Sequence, residues 1–247
     1  MIKRTTLLML IVFLAGNFCF CQENGVVTYT VTHNWVKKIT ACEYLSKAYR
    51  DRYAYTWSGD NEWETKAELK FNVWESRYEK KPDDEHTWSR GEDYFIYRNR
   101  ETNEMLDIMT VLSKDYALQD SIVCQNWKIK NDMKEVAGRI CMNASYFDTI
   151  RGKEVIAWFA LDLPVSAGPD RYCGLPGMIL EVNEANGAVV YTATHILFSD
   201  ERIEIQKPDV KKKRKIIDNQ EFKRIEAKYI GECKKMERPY FWGGFPF

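Results

Sequence analysis

The 247-residue chain has only three histidines, His33, His86 and His195, and its seven cysteines include no Cys-x-x-Cys pair. A zinc or copper site needs three or four such ligands converging, so nothing here requires a metal, and nothing requires a cofactor. Net charge is also lacking, because 36 Lys and Arg balance 36 Asp and Glu. A dedicated nucleic-acid binder needs a basic excess to neutralise phosphates, so nucleic acid is excluded as a partner. There is no Gly-x-Ser-x-Gly nucleophile turn. No apolar stretch reaches the roughly 20 residues needed to span a bilayer as a helix.

The longest apolar run is Leu7 to Ala15, preceded by Lys3 and Arg4. A positive start followed by a short apolar core suits a secretory signal peptide. Cys19 and Cys21 stand at the small-residue positions before the cut, which places cleavage after Cys21 and the mature start at Gln22. Acylation of Cys19 or Cys21 is the competing reading, disfavoured by Phe18 and Phe20 directly before them. The expectation is therefore export to the periplasm, cell envelope or exterior. The mature 226 residues carry 34 basic and 36 acidic side chains, enough chain for one ordinary domain with its own core. The organisation expected is residues 1–21 as signal, 22–238 as one β-rich domain with a C-terminal helix over about 218–237, and 239–247 as an aromatic tail.

Gly25 to Val36 reads as a strand. From Ile39 the apolar residues change to helical spacing through Cys42, Leu45, Tyr49 and Tyr53. Ala67, Leu69, Phe71 and Val73 alternate, as a strand with one wet face does. Lys80 to Glu85, with Pro82, is a charged turn, and Tyr94 to Tyr97 a short strand. Ser121–Lys130 and Glu135–Ala144 read as a hairpin about Asn131 and Asp132, and Glu154–Leu161 as an apolar inner strand. Met178–Val182 and Ala188–Phe198 flank Asn186-Gly187, a strong hairpin signal. Lys211 to Lys215 is a solvated basic run. Asp218 with Glu221 starts a helix, whose stripe is Phe222, Ile225, Tyr229, Cys233 and Met236. The fold expected is mainly β with helices (α+β): a curved antiparallel sheet or half-barrel with the C-terminal helix packed on it.

Five cysteines follow the cleavage point. With the hairpin turning through Asn131 to Lys134, Lys130 faces Glu135, and Cys124 falls opposite Cys141. That register makes Cys124–Cys141 the candidate disulfide, although opposed strand residues stand slightly too far apart for a relaxed bridge. Cys42 or Cys233 bridging to the sheet is the alternative.

The most distinctive stretch runs from Ala157 to Asn183 and contains Gly174-Leu-Pro-Gly-Met-Ile179. It resembles the GLPGLI family of exported Bacteroidota proteins. The likeness rests on Trp158, Asp162, Pro164, Gly168, Pro169, Gly174, Leu175, Pro176, Gly177 and Glu181. It extends to Glu135–Ala144, with Arg139 where Tyr is usual, and to Ala193-Thr-His-Ile196. Met178 and Cys173 depart from the pattern. The resemblance implies export, a β-rich fold and a bacterial envelope setting, and it implies no catalysis. Such a setting also makes Ser121 and Thr149, each between Asp and Ile, candidate O-glycosylation sites. The Pro176-Gly177 pair suggests a type II turn with Gly177 at positive φ.

Three functions compete. The first is non-enzymatic binding, or envelope assembly, with an unknown envelope protein or an apolar small ligand as partner and peripheral outer-membrane association. The second is a hydrolase using Asp162, Asp170, Glu181 and His195 with Ser166. The third is a structural partner of an outer-membrane complex, acting through the aromatic tail.

Overall fold

The computed structural model describes residues 24–57, 59, 61–81 and 94–247. The expected signal peptide 1–21, the residues 82–85 of the expected charged turn and His86 lie outside them. Twelve strands form one open, curved sheet in the order β12-β6-β5-β4-β3-β2-β1-β11-β10-β9-β8-β7. Their ranges are β1 Gly25–Asn34, β2 Glu62–Phe71, β3 Glu75–Lys80, β4 Phe95–Asn99, β5 Glu104–Val111, β6 Lys114–Ser121, β7 Lys128–Val136, β8 Arg139–Asp148, β9 Lys153–Ala160, β10 Met178–Glu184, β11 Val189–Phe198 and β12 Lys215–Ile217. All neighbours are antiparallel except β12, which adds to β6 in parallel. The mainly β, α+β half-barrel expected from the sequence is the fold observed.

Period-two patterning places Val27, Tyr29 and Val31 of β1 on the inner face with Ala67, Leu69 and Phe71 of β2. Over this face lie the long C-terminal helix and the tail, whose Phe222, Ile230, Tyr240, Phe245 and Phe247 join the same core. β5 is buried on both faces, because the segment carrying Ile205 covers Leu106 and Ile108 from outside. The C-terminal helix, α3 (Asn219–Lys235), begins as the sequence predicts, with the Asp218 carboxylate accepting from the Glu221 amide at 2.7 Å. Its buried stripe is Phe222, Glu226, Ile230 and Cys233, so Met236 is left exposed. Among the described residues no helix is long and apolar enough to cross a membrane.

Three expectations are corrected. The early helix is two, α1 (Trp35–Ala41) and α2 (Lys47–Thr56), each capped by its own polar residue, Asn34 and Ser46. The β7–β8 hairpin turns at Ala137-Gly138, both at positive φ, and not at Asn131-Asp132. A bulge between Ile129 and Met133 absorbs those two residues, and the Asn143 amide donates to the Asp132 carboxylate at 2.8 Å. Cys141 therefore faces Lys134, and Cys124 lies outside the hairpin altogether. The third correction follows: the disulfide is Cys124–Cys173, with Cα atoms 5.1 Å apart, while Cys42, Cys141 and Cys233 are free and buried. The Asn186-Gly187 hairpin forms as expected, with Ala185 and Asn186 both in the left-handed region.

Candidate ligand-binding site

The signature segment between β9 and β10 is irregular but folded back on the sheet. Met178 N donates to Leu163 O at 2.9 Å and Ile179 N to Ala167 O at 2.9 Å. Leu163, Val165 and Leu175 enter the core, while Pro164 and Pro176 stay exposed. Gly177 packs so tightly that an added Cβ would stand 2.1 Å from the Ala160 carbonyl oxygen. Its φ lies outside the left-handed range, so the type II expectation fails and the need for glycine is steric. Positive φ falls instead on Gly174, at 94°, beside Cys124. Gly168 and Pro169 are buried in the approach to Asp170, Arg171 and Tyr172, which the segment delivers to the inner face.

Asp170 is the pivot. It is held at φ 53°, a left-handed conformation that Asp tolerates better than most residues. Its carboxylate accepts from Tyr94 Oη at 2.7 Å and Tyr191 Oη at 3.0 Å. Burial first, and then the Asp170 charge, keep both phenols protonated well above their usual range, so both remain donors. Two cavities meet at Asp170 and at Pro246 and Phe247 of the tail.

The cavity between the β8–β9 turn and α3, about 350 Å³, is lined by Arg98, Arg151, Arg171, Tyr172, Glu184 and Glu226 among others. These six residues are already bound to one another or to neighbouring acids. Arg98 and Arg171 share Asp107, the latter at 2.9 Å, and Arg151 spans Glu226 at 2.6 Å and Asp148 at 3.0 Å. Glu184 takes Lys153 and the Tyr172 hydroxyl. Removing one partner of such a buried pair leaves an uncompensated charge. Here the pairs fasten the signature segment and α3 to the sheet.

The other cavity, about 370 Å³, is different. Its walls are aromatic: Trp35, Trp63, Tyr78, Tyr94, Tyr191 and the tail phenylalanines. Lys38 is 6 % exposed, and its Nζ lies 2.9 Å from His33 Nδ1 and 4.7 Å from the Trp35 ring centre. Among the described residues no carboxylate is within ion-pair reach of it. Burial lowers its pKa to about 7; Lys153 and Lys80 act the same way, and Glu184 opposes. His33, stacked on Trp63 with centres 5.0 Å apart, is driven down to about 2 by burial and then by Lys38 and Lys80. The imidazole is thus neutral, and its Nδ1 can accept from Lys38. The Phe247 ring stands between Lys38 at 5.6 Å and Lys153 at 4.4 Å.

Of the residues the sequence offered for hydrolysis, Asp170 alone reaches these cavities. Asp162 is an exposed ion pair with Arg139 at 2.6 Å, and Glu181 pairs with Lys134 at 2.6 Å, beneath the Trp158 ring. Ser166 accepts from Gly174 N at 3.2 Å, and exposed His195 contacts Thr194. Among the described residues no hydrogen bond joins any two of these five. Ser121 and Thr149 are both exposed. Among the described residues no group of three His, Cys, Asp or Glu could hold a metal ion.

Sequence reasoning missed Lys38, His33, Tyr94, Tyr191 and Glu184. Lys38 carried a signal: it lies three residues after Trp35 and four before Cys42, on the apolar side of its helix. Lys153 carried one too, as a charge at an inner position of β9.

A family model described as "Protein of unknown function (Porph_ging)" matches residues 149–181, from the β8–β9 turn through the signature into β10. No curated protein matches. Solved structures of PNGF-II in two crystal forms, C2 and P21, are similar at a TM-score of 0.51 and 14 % identity. They cover 83 % of this chain, which spans about a third of PNGF-II, 32 % and 33 % in the two forms. At that identity the likeness is one of fold.

Proposed function

We propose that this is an exported envelope protein of GLPGLI type that works by binding, not catalysis. A small molecule enters the aromatic cavity beside Lys38. The observation that carries the reading is that cavity: about 370 Å³, walled by rings, with a few convergent polar groups, the usual make-up of a small-molecule site. The apolar ligand expected from sequence becomes an amphipathic one, because Lys38, Asp170 and the tyrosine hydroxyls face the same space. The hydrolase reading loses support because its residues do not converge. The tail is a weak candidate for a partner-binding arm, because Tyr240, Phe245 and Phe247 are buried in the fold and Trp242 is its exposed ring. Export with a mature start at Gln22, and sugar on Ser121 or Thr149, belong to the same reading; intact mass from the native host checks both.

Trp35 and Trp63 line the cavity, so tryptophan fluorescence reports its occupancy. Titration with small aromatic probes, 2-naphthoate and 2-naphthalenemethanol, should quench that fluorescence with saturation. Thr65→Trp, which fills the cavity from β2, should abolish the response. Saturable quenching that survives Thr65→Trp places the ligand elsewhere and refutes the proposal.

A further inference from the structure

Resting on the binding reading above, we infer that the ligand of this cavity is an amphipathic anion: a flat apolar body carrying one acidic oxygen group, which Lys38 receives. Among the described residues, Lys38 has no carboxylate within ion-pair reach. A buried ammonium is costly unless paired, and here the partners are a neutral imidazole and ring faces. The Trp35, Phe241 and Phe247 ring centres lie 4.7, 5.7 and 5.6 Å from Nζ. Glu184 acts on Lys38 through space, but its two oxygens are committed to Lys153 and Tyr172. Lys80 of β3 lines the same cavity and acts on Lys38 as a like charge.

Among the described residues, the charges facing Lys38 are therefore Lys80 from β3, Lys153 from β9 and Glu184 from β10, with neutral His33 from β1. Asp170, the cavity's own carboxylate, sits among the tyrosine donors. Among the described residues the counter-charge that the Lys38 end lacks is an anion, and the surface next to it is aromatic. An anionic oxygen at Nζ would make a charge-assisted hydrogen bond in a poorly solvated place, where such bonds are strongest. It would also hold the proton on Lys38, so binding takes up a proton from solution once the free amine has begun to deprotonate.

The test compares 2-naphthoate with the neutral 2-naphthalenemethanol, and with acetate as a simple anion. Wild type should bind naphthoate at least tenfold more tightly than the alcohol, and acetate should not compete. Lys38→Met should reduce naphthoate to the level of the alcohol, and Lys38→Arg should keep the preference. On wild-type protein alone, naphthoate affinity should fall several-fold from pH 7 to 9 while that of the alcohol stays flat. That arm decides even if Lys38→Met does not fold. Equal affinities for the two probes, a pH-independent naphthoate affinity, or a preference that survives Lys38→Met overturns the anion inference and leaves the cavity reading standing. Acetate competing as well as naphthoate overturns the aromatic half. If neither probe binds in a manner that Thr65→Trp removes, the cavity reading itself falls.

Discussion

Gly177→Ala adds one methyl group, and the structure fixes what it meets. The new Cβ would lie 2.1 Å from Ala160 O, 2.8 Å from its carbonyl carbon and 3.3 Å from Leu161 Cα. Relieving the oxygen contact alone requires a shift of about 1.4 Å, since non-bonded carbon atoms sit ~3.5 Å or more from their neighbours. The atoms in the way are backbone at the end of β9, where fully buried Ala160 pairs with both Met178 and Cys141. Neither neighbouring strand can yield without breaking its own ladder. Overpacking of this kind costs about 1–3 kcal/mol, and lower unfolded-state entropy returns about 0.4–1 kcal/mol of that. The expected net loss is about 2 kcal/mol, at the upper end because backbone must move. It would lower Tm by about 4–8 °C in a chain of this size. Gly231→Ala is the matched control. It adds the same methyl within α3, where nothing lies within 4 Å, and should stabilise by about 0.5–1 kcal/mol. Urea and thermal unfolding of both variants give the answer. A Gly177→Ala protein within about 0.5 kcal/mol of wild type would refute the steric account of the signature.

Two further outcomes can be measured. The Cys124–Cys173 bridge closes a loop across a separation of 49 residues, for which chain entropy sets an upper value of about 4 kcal/mol. Trp127 Nε1 to Cys173 O at 2.8 Å, and Gln125 exchanging bonds with Cys173 and Arg171 at 3.1 Å each, also hold the two loops. The Cys124→Ser/Cys173→Ser protein should therefore fold, with its urea midpoint lowered; alkylation of both cysteines in native wild type without reductant would contradict the pairing. The second outcome concerns pH. The folded-state pKa of Lys38 lies below its unfolded value, so between about pH 7 and the ordinary lysine range the unfolded chain binds more protons. Stability from this group rises with pH across that window. Wild type should thus gain on Lys38→Met between pH 7 and 9.5 in parallel urea titrations, and a constant difference would refute it.

Elements whose signal is local were legible in the sequence. The Asp218 cap needs only a carboxylate three residues before an amide, and the Asn186-Gly187 hairpin needs only residues that accept positive φ. The inner face of β2 needs only period two. What failed were choices between near-equal local options. Asn131-Asp132 is as good a local turn signal as Ala137-Gly138, and it is the register of β7 on β8, paired from Met133 to Val136 up to the turn, that leaves the former as a bulge. That choice moved Cys141 away from Cys124 and gave Cys124 to the signature segment. The cavity was least legible, because it belongs to no segment. His33 and Lys38 come from the end of β1 and from α1, Trp63 from β2, Tyr94 from the edge of β4, Asp170 from the signature and Phe247 from the tail. A sequence records which of these residues are polar. Only the closure of one sheet beneath the helix and tail determines that a buried lysine ends among rings with no carboxylate of the described residues beside it, and it is that missing partner that points to a ligand.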